Sequence, residues 1–242
     1  MLALGRILTS IGSISAASIL AFGLTPGTAA ADGPAVLGGG SGIAISTDDP
    51  QLYALCTVTA VGFDGGNRLV AMTAGHCGEI GASVWSEGSV RTGVIGRVAE
   101  VDEYWDWAII ELDPAKVVPV RQITQSVVNG IGSPPGLLET VCKNGRTTGF
   151  TCGPVWQTLP EGFSSHVCAD HGDSGAPVLV GDRLVGMVIA GQLLDLGSVV
   201  LQMPSCTDPA DPLHEPDLST GIGNVLTSID QHGGAGAGFR LF

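Results

Sequence analysis

The sequence predicts an all-β protein. Thirty-seven glycines stand beside only 5% aromatic residues, and the apolar residues fall in short runs separated by Gly, Pro, Asn and Asp. That spacing suits many short strands joined by tight turns, as in a barrel or sandwich, better than a helical bundle. With 44% apolar residues the 242-residue chain can fill a real core, and its length admits one large domain or two small ones.

The first element is a leader. Arg6 precedes a largely apolar stretch from Ile11 to Leu24, followed by small residues ending "GTAAADG". This is the arrangement of a secretory signal peptide over residues 1–31, with cleavage near Ala30 or Ala31. The apolar run is about 14 residues, interrupted by Gly12, Ser13 and Ser15, against the ~20 needed to span a bilayer. Secretion, with no membrane attachment after cleavage, is the expectation.

Strands follow at "CTVTAV" (56–61), "RLVAMTA" (68–74), "TGVIGRVA" (92–99), "WAIIEL" (107–112), "APVLV" (176–180) and "RLVGMVIAG" (183–191). The turn signals "FDGGN", "DP", "SPPG" and "VGD" lie between them. Only "GIGNVLTSIDQ" (221–231) reads as a helix: Ile222, Val225 and Ile229 form a stripe, with Ser219 and Thr220 as expected caps. "TDPADPLHEPD" (207–217) combines proline with acid, as surface loops do, and the glycine-rich 232–242 is expected to be a flexible tail.

A formal charge of −13 argues against nucleic acid as a partner, because a phosphate-binding surface needs basic patches. The six cysteines, Cys56, Cys77, Cys142, Cys152, Cys168 and Cys206, suit an oxidising compartment, and spacing alone leaves their pairing open. No CxxC or HExxH spacing occurs, so no metal and no cofactor are expected.

Three short stretches carry the chemistry. In "TAGHC", His76 follows a strand and precedes a cysteine that can pin its turn. In "YWDWAIIEL", Asp106 immediately precedes an apolar strand, where a partly buried carboxylate needs a partner such as an imidazole N–H. In "GDSGAP", Gly172 permits unusual backbone angles, so the N–H groups of Gly172 and Ser174 can converge as an oxyanion hole. Ser174 needs a base; His76 would take its proton and Asp106 would hold the imidazole tautomer.

"TAGHC", "DWAII" and "GDSGAP", in that order, resemble the trypsin- and chymotrypsin-like serine proteases. "VCKNGRTTGFTCG" (141–153) and "CADHGDSG" (168–175) are similar to the secreted bacterial, streptogrisin-like branch, and the likeness covers roughly residues 35–206. The resemblance implies two perpendicular six-stranded antiparallel β-barrels, here with the C-terminal helix. The domain would span 32–231, its two halves meeting near 115–135, and act on a peptide or protein as a monomer.

The resemblance further implies His76 as base and acid, Asp106 as its orienter, Ser174 as nucleophile, and disulfides 56–77, 142–152 and 168–206. Asp173 would be a buried acid paired with a cation, for which Arg146 is the candidate. His166 and Val167 would lie near the base of the specificity pocket, Ala169 and Asp170 at its entrance, and Ile189, Ala190 and Gly191 along one wall. No acid falls at the base in this reading, so an uncharged, apolar side chain is expected, with an acidic one met by His166 as the second choice.

The chain departs from the family at Ile189, where a serine usually supports the aspartate, at Ala176, where glycine is usual, and in lacking a long pro-region. Those departures keep a second reading open: a catalytically impaired protease fold acting as a secreted binding or regulatory protein. An α/β-hydrolase is disfavoured, because Pro177 opposes the helix that must follow a nucleophile elbow.

Overall fold

The computed structural model describes residues 33–191, 194–195, 200–201 and 203–242. The expected leader, residues 1–31, lies outside them.

The first half is a sheet of β1 (Gly42–Ser46), β2 (Tyr53–Thr57), β3 (Ala60–Phe63), β4 (Leu69–Ala74), β5 (Ser83–Ser86), β6 (Val94–Asp102) and β7 (Trp107–Leu112). The second half contributes β8 (Thr140–Gly145), β9 (Gly149–Thr158), β10 (Gly162–Ser165), β11 (Pro177–Val180), β12 (Arg183–Gly191) and β13 (Asp217–Gly221). The helix α1 (Ile222–His232) and a last strand β14 (Arg240–Leu241) follow.

β12, β11, β8, β9, β10 and β13 pair in that order, and β13 pairs back to β12, so these six antiparallel strands close a barrel. The first sheet runs β14, β3, β4, β7, β6, β5, β1, β2. The fold is therefore all-β and chymotrypsin-like: one closed six-stranded barrel, a second large antiparallel sheet, and a C-terminal helix.

The apolar runs of β4 and β7 have one explanation. Strand side chains alternate between faces, and here each face meets a different core. Leu69 and Ala71 of β4, with Ala108, Ile110 and Leu112 of β7, fill the interior of the first sheet. Val70 and Met72, with Trp107 and Ile109, pack against Leu179, Leu184 and Met187 of the barrel and Ile222, Val225 and Ile229 of α1. Each Val, Leu, Ile or Met among them contributes about 1.5–3 kcal/mol by leaving water. The interface between the halves is thus hydrophobic, and it runs beneath the ends of β4 and β7.

Three expectations are corrected. "CTVTAV" is not one strand: β2 ends at Thr57 and β3 begins at Ala60, because the chain turns there to bond the loop of the other half. Thr57 N donates to Ser174 O, Thr57 Oγ1 to Gly172 O, and Thr59 Oγ1 to Gly175 O. Ser219 and Thr220 lie in β13 rather than capping the helix, whose N-cap is Gly221 with no side-chain cap.

The glycine-rich tail is not free. It turns back to place β14 against β3, Gly236 N donates to Asp64 Oδ2 at 3.3 Å, and Arg240 Nη1 donates to Asp64 O at 2.7 Å. Gly233, Gly234, Gly236 and Gly238 all have positive φ, so these glycines serve a tight path rather than mobility.

Candidate active site

The pairing of β4 with β7 builds the first part of the site. Ala74 lies opposite Trp107, which places His76, two residues beyond, beside Asp106, one residue before. His76 sits in the short 3-10 turn Gly75–Cys77, tied down by the Cys56–Cys77 disulfide. Asp106 adopts φ 51°, a left-handed conformation that aims its carboxylate back across the turn.

Asp106 Oδ2 lies 2.8 Å from His76 Nδ1, and Oδ1 accepts the His76 backbone N–H at 2.8 Å. The carboxylate thereby fixes both the ring and the main chain that carries it. The His76 side chain is 48% exposed against 20% for Asp106. Its hydrogen bond to Asp106, foremost, raises the imidazole pKa above its ordinary value, while partial burial opposes the shift.

Ser174 stands in the turn between Asp170 and Ala176. The N–H groups of Asp173, Gly175 and Ala176 donate to Asp170 O, Val188 O and Asp173 O. Among the described residues, the N–H groups of Gly172 and Ser174 have no protein acceptor. Two unspent donors flanking a serine are what an oxyanion needs. Gly172 has φ 98°, which an L side chain rarely adopts, and a Cβ there would lie 2.6 Å from Arg146 Nη1.

Asp173 anchors this turn from below. Its carboxylate takes Thr147 N at 2.8 Å, Thr148 Oγ1 at 2.5 Å and Lys143 Nζ at 3.1 Å. Both ionic side chains are 0% exposed. Breaking such a buried pair costs about 3–5 kcal/mol. The cation is Lys143 and not Arg146, which instead bonds Glu87 through Nε at 2.6 Å and Nη2 at 2.8 Å. Burial, foremost, pushes the Lys143 pKa down, and Asp173 counters it. Lys143 shares the inward face of β8 with Val141, so strict alternation from that valine points to it.

A cleft of about 330 Å³ opens beside these groups, lined by His76, Ser174, Ala169, Asp170, Ile189, Ala190 and Gly191 among others. Ile189 falls at a break in the pairing of β12 with β13 and packs against the core between the halves. His166 and Val167 are not in the lining. Val167 is buried inside the barrel, and His166 is stacked between Trp156, at 4.9 Å, and His214, at 4.0 Å. Burial and then the neighbouring His214 lower the His166 pKa. Cys142 pairs with Cys152 and Cys168 with Cys206, bracing the hairpin that carries Lys143 and the wall of the cleft.

No family model matches the chain. It is 28% identical over 130 residues to Streptogrisin-C of Streptomyces griseus, 49% of this chain and 28% of that longer protein. It is 30% identical over 137 residues to Serine protease 2 of Streptomyces fradiae, covering 50% of this chain and 78% of the relative. The chain belongs to the chymotrypsin/streptogrisin-like family of serine proteases.

Solved structures agree with the fold of this family member. Thermobifida fusca Protease A matches with TM-score 0.60 and 21% identity, over 80% of this chain and 96% of that one. Cellulomonas bogoriensis chymotrypsin matches with TM-score 0.58 and 22% identity, over 86% and 98%.

Two groups of this family member escape the motif reading. Thr57 and Thr59 join the His76 half to the Ser174 loop, and the pairing of threonines with a strand break is their only signal. Glu215 and Asp217 also line the cleft, although the sequence reads as a surface loop up to residue 217.

Proposed function

We propose that this chain is a secreted serine endopeptidase that hydrolyses peptide bonds through an acyl-enzyme. The single observation that carries the reading is the His76 ring, held by Asp106 through Nδ1 at 2.8 Å on a residue that lines the same cleft as Ser174.

Ser174 Oγ attacks the scissile carbonyl carbon while His76 Nε2 takes its proton, and Asp106 stabilises the resulting imidazolium. The N–H groups of Gly172 and Ser174 receive the oxyanion. His76 returns the proton to the leaving amine, and water activated by the same ring then releases the acid. Among the described residues no hydrogen bond links Ser174 Oγ to the ring; such contacts tighten in many proteases only with substrate bound.

The same reading gives residues 1–31 as a cleaved leader, a domain over 32–231 with halves meeting near 115–135, and a first sheet that curls into a second six-stranded barrel crossing the first. It makes the enzyme an extracellular monomer acting on peptide or protein and not on nucleic acid. No helix among the described residues is long and apolar enough to cross a membrane.

Intact mass of the secreted protein after fluorophosphonate treatment tests the proposal, since the reagent needs an activated serine and oxyanion donors but no known substrate. One adduct on Ser174, absent in Ser174→Ala, is expected. No adduct on folded, processed protein would favour the impaired, binding-only alternative, and Ile189→Ser would be the first reversion.

A further inference from the structure

The floor of the cleft holds a group that the hydrolytic mechanism does not use. Asp217 opens β13 opposite Gly191 of β12 and lines the cleft together with Ser174. It is 2% exposed. Ser219 Oγ donates to its Oδ2 at 3.0 Å, while its buried Oδ1 has no partner among the described residues. A buried carboxylate oxygen without a donor is costly, and a fold that keeps one in a substrate cleft is matched to a donor that arrives with the substrate.

A second carboxylate stands beside it. Glu215 packs against Gly191 so closely that a Cβ there would lie 2.2 Å from Oε1, and Ser205 Oγ donates to that oxygen at 3.2 Å. Burial foremost, and also the charges of Asp173 and Glu215, push the Asp217 pKa well up, against the Ser219 hydrogen bond and the Lys143 charge. An incoming cation relieves that load. Asp170 also lines the cleft, and no Lys or Arg does among the described residues. A neighbouring hollow that shares His76 is lined by Asp48, Asp49 and Glu79, so the whole approach is anionic, as a chain of formal charge −13 allows.

We infer that the cleft beside Ser174 takes a cationic side chain, Lys or Arg, with Asp217 as the specificity-determining residue and Glu215 as a second anionic contact. The inference rests on reading Ser174 as the nucleophile. It replaces the expectation of an apolar side chain, which came from finding no acid at His166 and Val167, the positions that the family resemblance puts near the pocket base. The acid enters from β13 instead. A guanidinium presents five donors in a fixed fork and an ammonium three freely rotating ones, so either cation has donors enough for both carboxylates.

Peptide substrates differing only in the residue before the scissile bond (Arg, Lys, Leu, Phe, Glu) give the test, on protein already labelled or not labelled at Ser174 in parallel. The expected kcat/KM favours Arg or Lys over Leu by about 10²-fold or more, and Asp217→Asn cuts that ratio by about tenfold or more. A merely structural role for Asp217 would lower both rates together and leave the ratio unchanged. A preference for Leu, Phe or Glu on protein whose Ser174 labels would overturn the inference and leave the nucleophile standing.

If Ser174 does not label, calorimetry of benzamidine against neutral benzamide on the Ser174→Ala protein still decides. Tighter binding of the cation, weakened by Asp217→Asn, supports the site, and equal binding overturns it. Should Asp217→Asn fail to fold, Glu215→Gln replaces it in both comparisons, with a smaller fall in the ratio expected.

Discussion

At the scale of single residues, the proposed mechanism makes the imidazole of His76 set the pH dependence. The base must be neutral to accept a proton, and its bond to Asp106 raises its pKa above the ordinary 6.5. The acid limb of kcat/KM is therefore expected to lie above that value, and in Asp106→Asn to move to lower pH while kcat falls by about 10⁴-fold. A pH–rate profile of both proteins checks this; an unmoved limb would mean that another group titrates. The sign for stability follows the same shift. The stabilisation is complete below the pKa of the unfolded imidazole and is lost as pH rises through the folded one. The candidates His76, Asp106 and Ser174 were legible because each stands in a short motif whose chemistry is local. The partners of Lys143 and Asp217 were not, because Lys143 meets Asp173 only in the folded barrel and residues 191 and 217 meet only through sheet pairing.

At the scale of elements, α1 is coupled to the turn that carries Asp106. Trp107 Nε1 donates to Ser228 Oγ at 3.0 Å, and Ser228 Oγ donates to Asp102 Oδ2 at 3.1 Å. Asp102 Oδ1 in turn receives the N–H groups of Tyr104 and Trp105, which shape the loop ahead of Asp106. Ser228→Ala is expected to cost about 1–3 kcal/mol, because it leaves the buried indole N–H without an acceptor. Urea denaturation measures that loss, and a change below about 0.5 kcal/mol would mean that water replaces the hydroxyl. The helix itself was readable from its 3.6-residue stripe, and the buried strands from their continuous apolar runs. β1, β5 and β10 were not, since "GIAIS", "SVWS" and "GFSS" are short and mix polar with apolar residues; only pairing on both sides defines them.

At the scale of the whole molecule, the two halves are joined by more than the chain between them. The core shared by β4, β7, β12 and α1 holds them face to face, and Thr57 and Thr59 stitch the first half to the loop of Ser174. The tail adds a second tie. Deleting residues 233–242 removes β14, the Asp64 contacts and the packing of Phe239 and Leu241. A loss of about 2–5 kcal/mol is expected from those side chains and hydrogen bonds, and a thermal midpoint unchanged by the deletion would contradict it. Composition misled here, because glycine serves both disorder and tight φ > 0 paths and only the partners distinguish them. The tie also orders events in time. β3 is made early, but the strand that covers its edge is made much later in the chain. Until residue 241 has been synthesised, the first sheet keeps an open rim, so a nascent chain carries an incomplete first half.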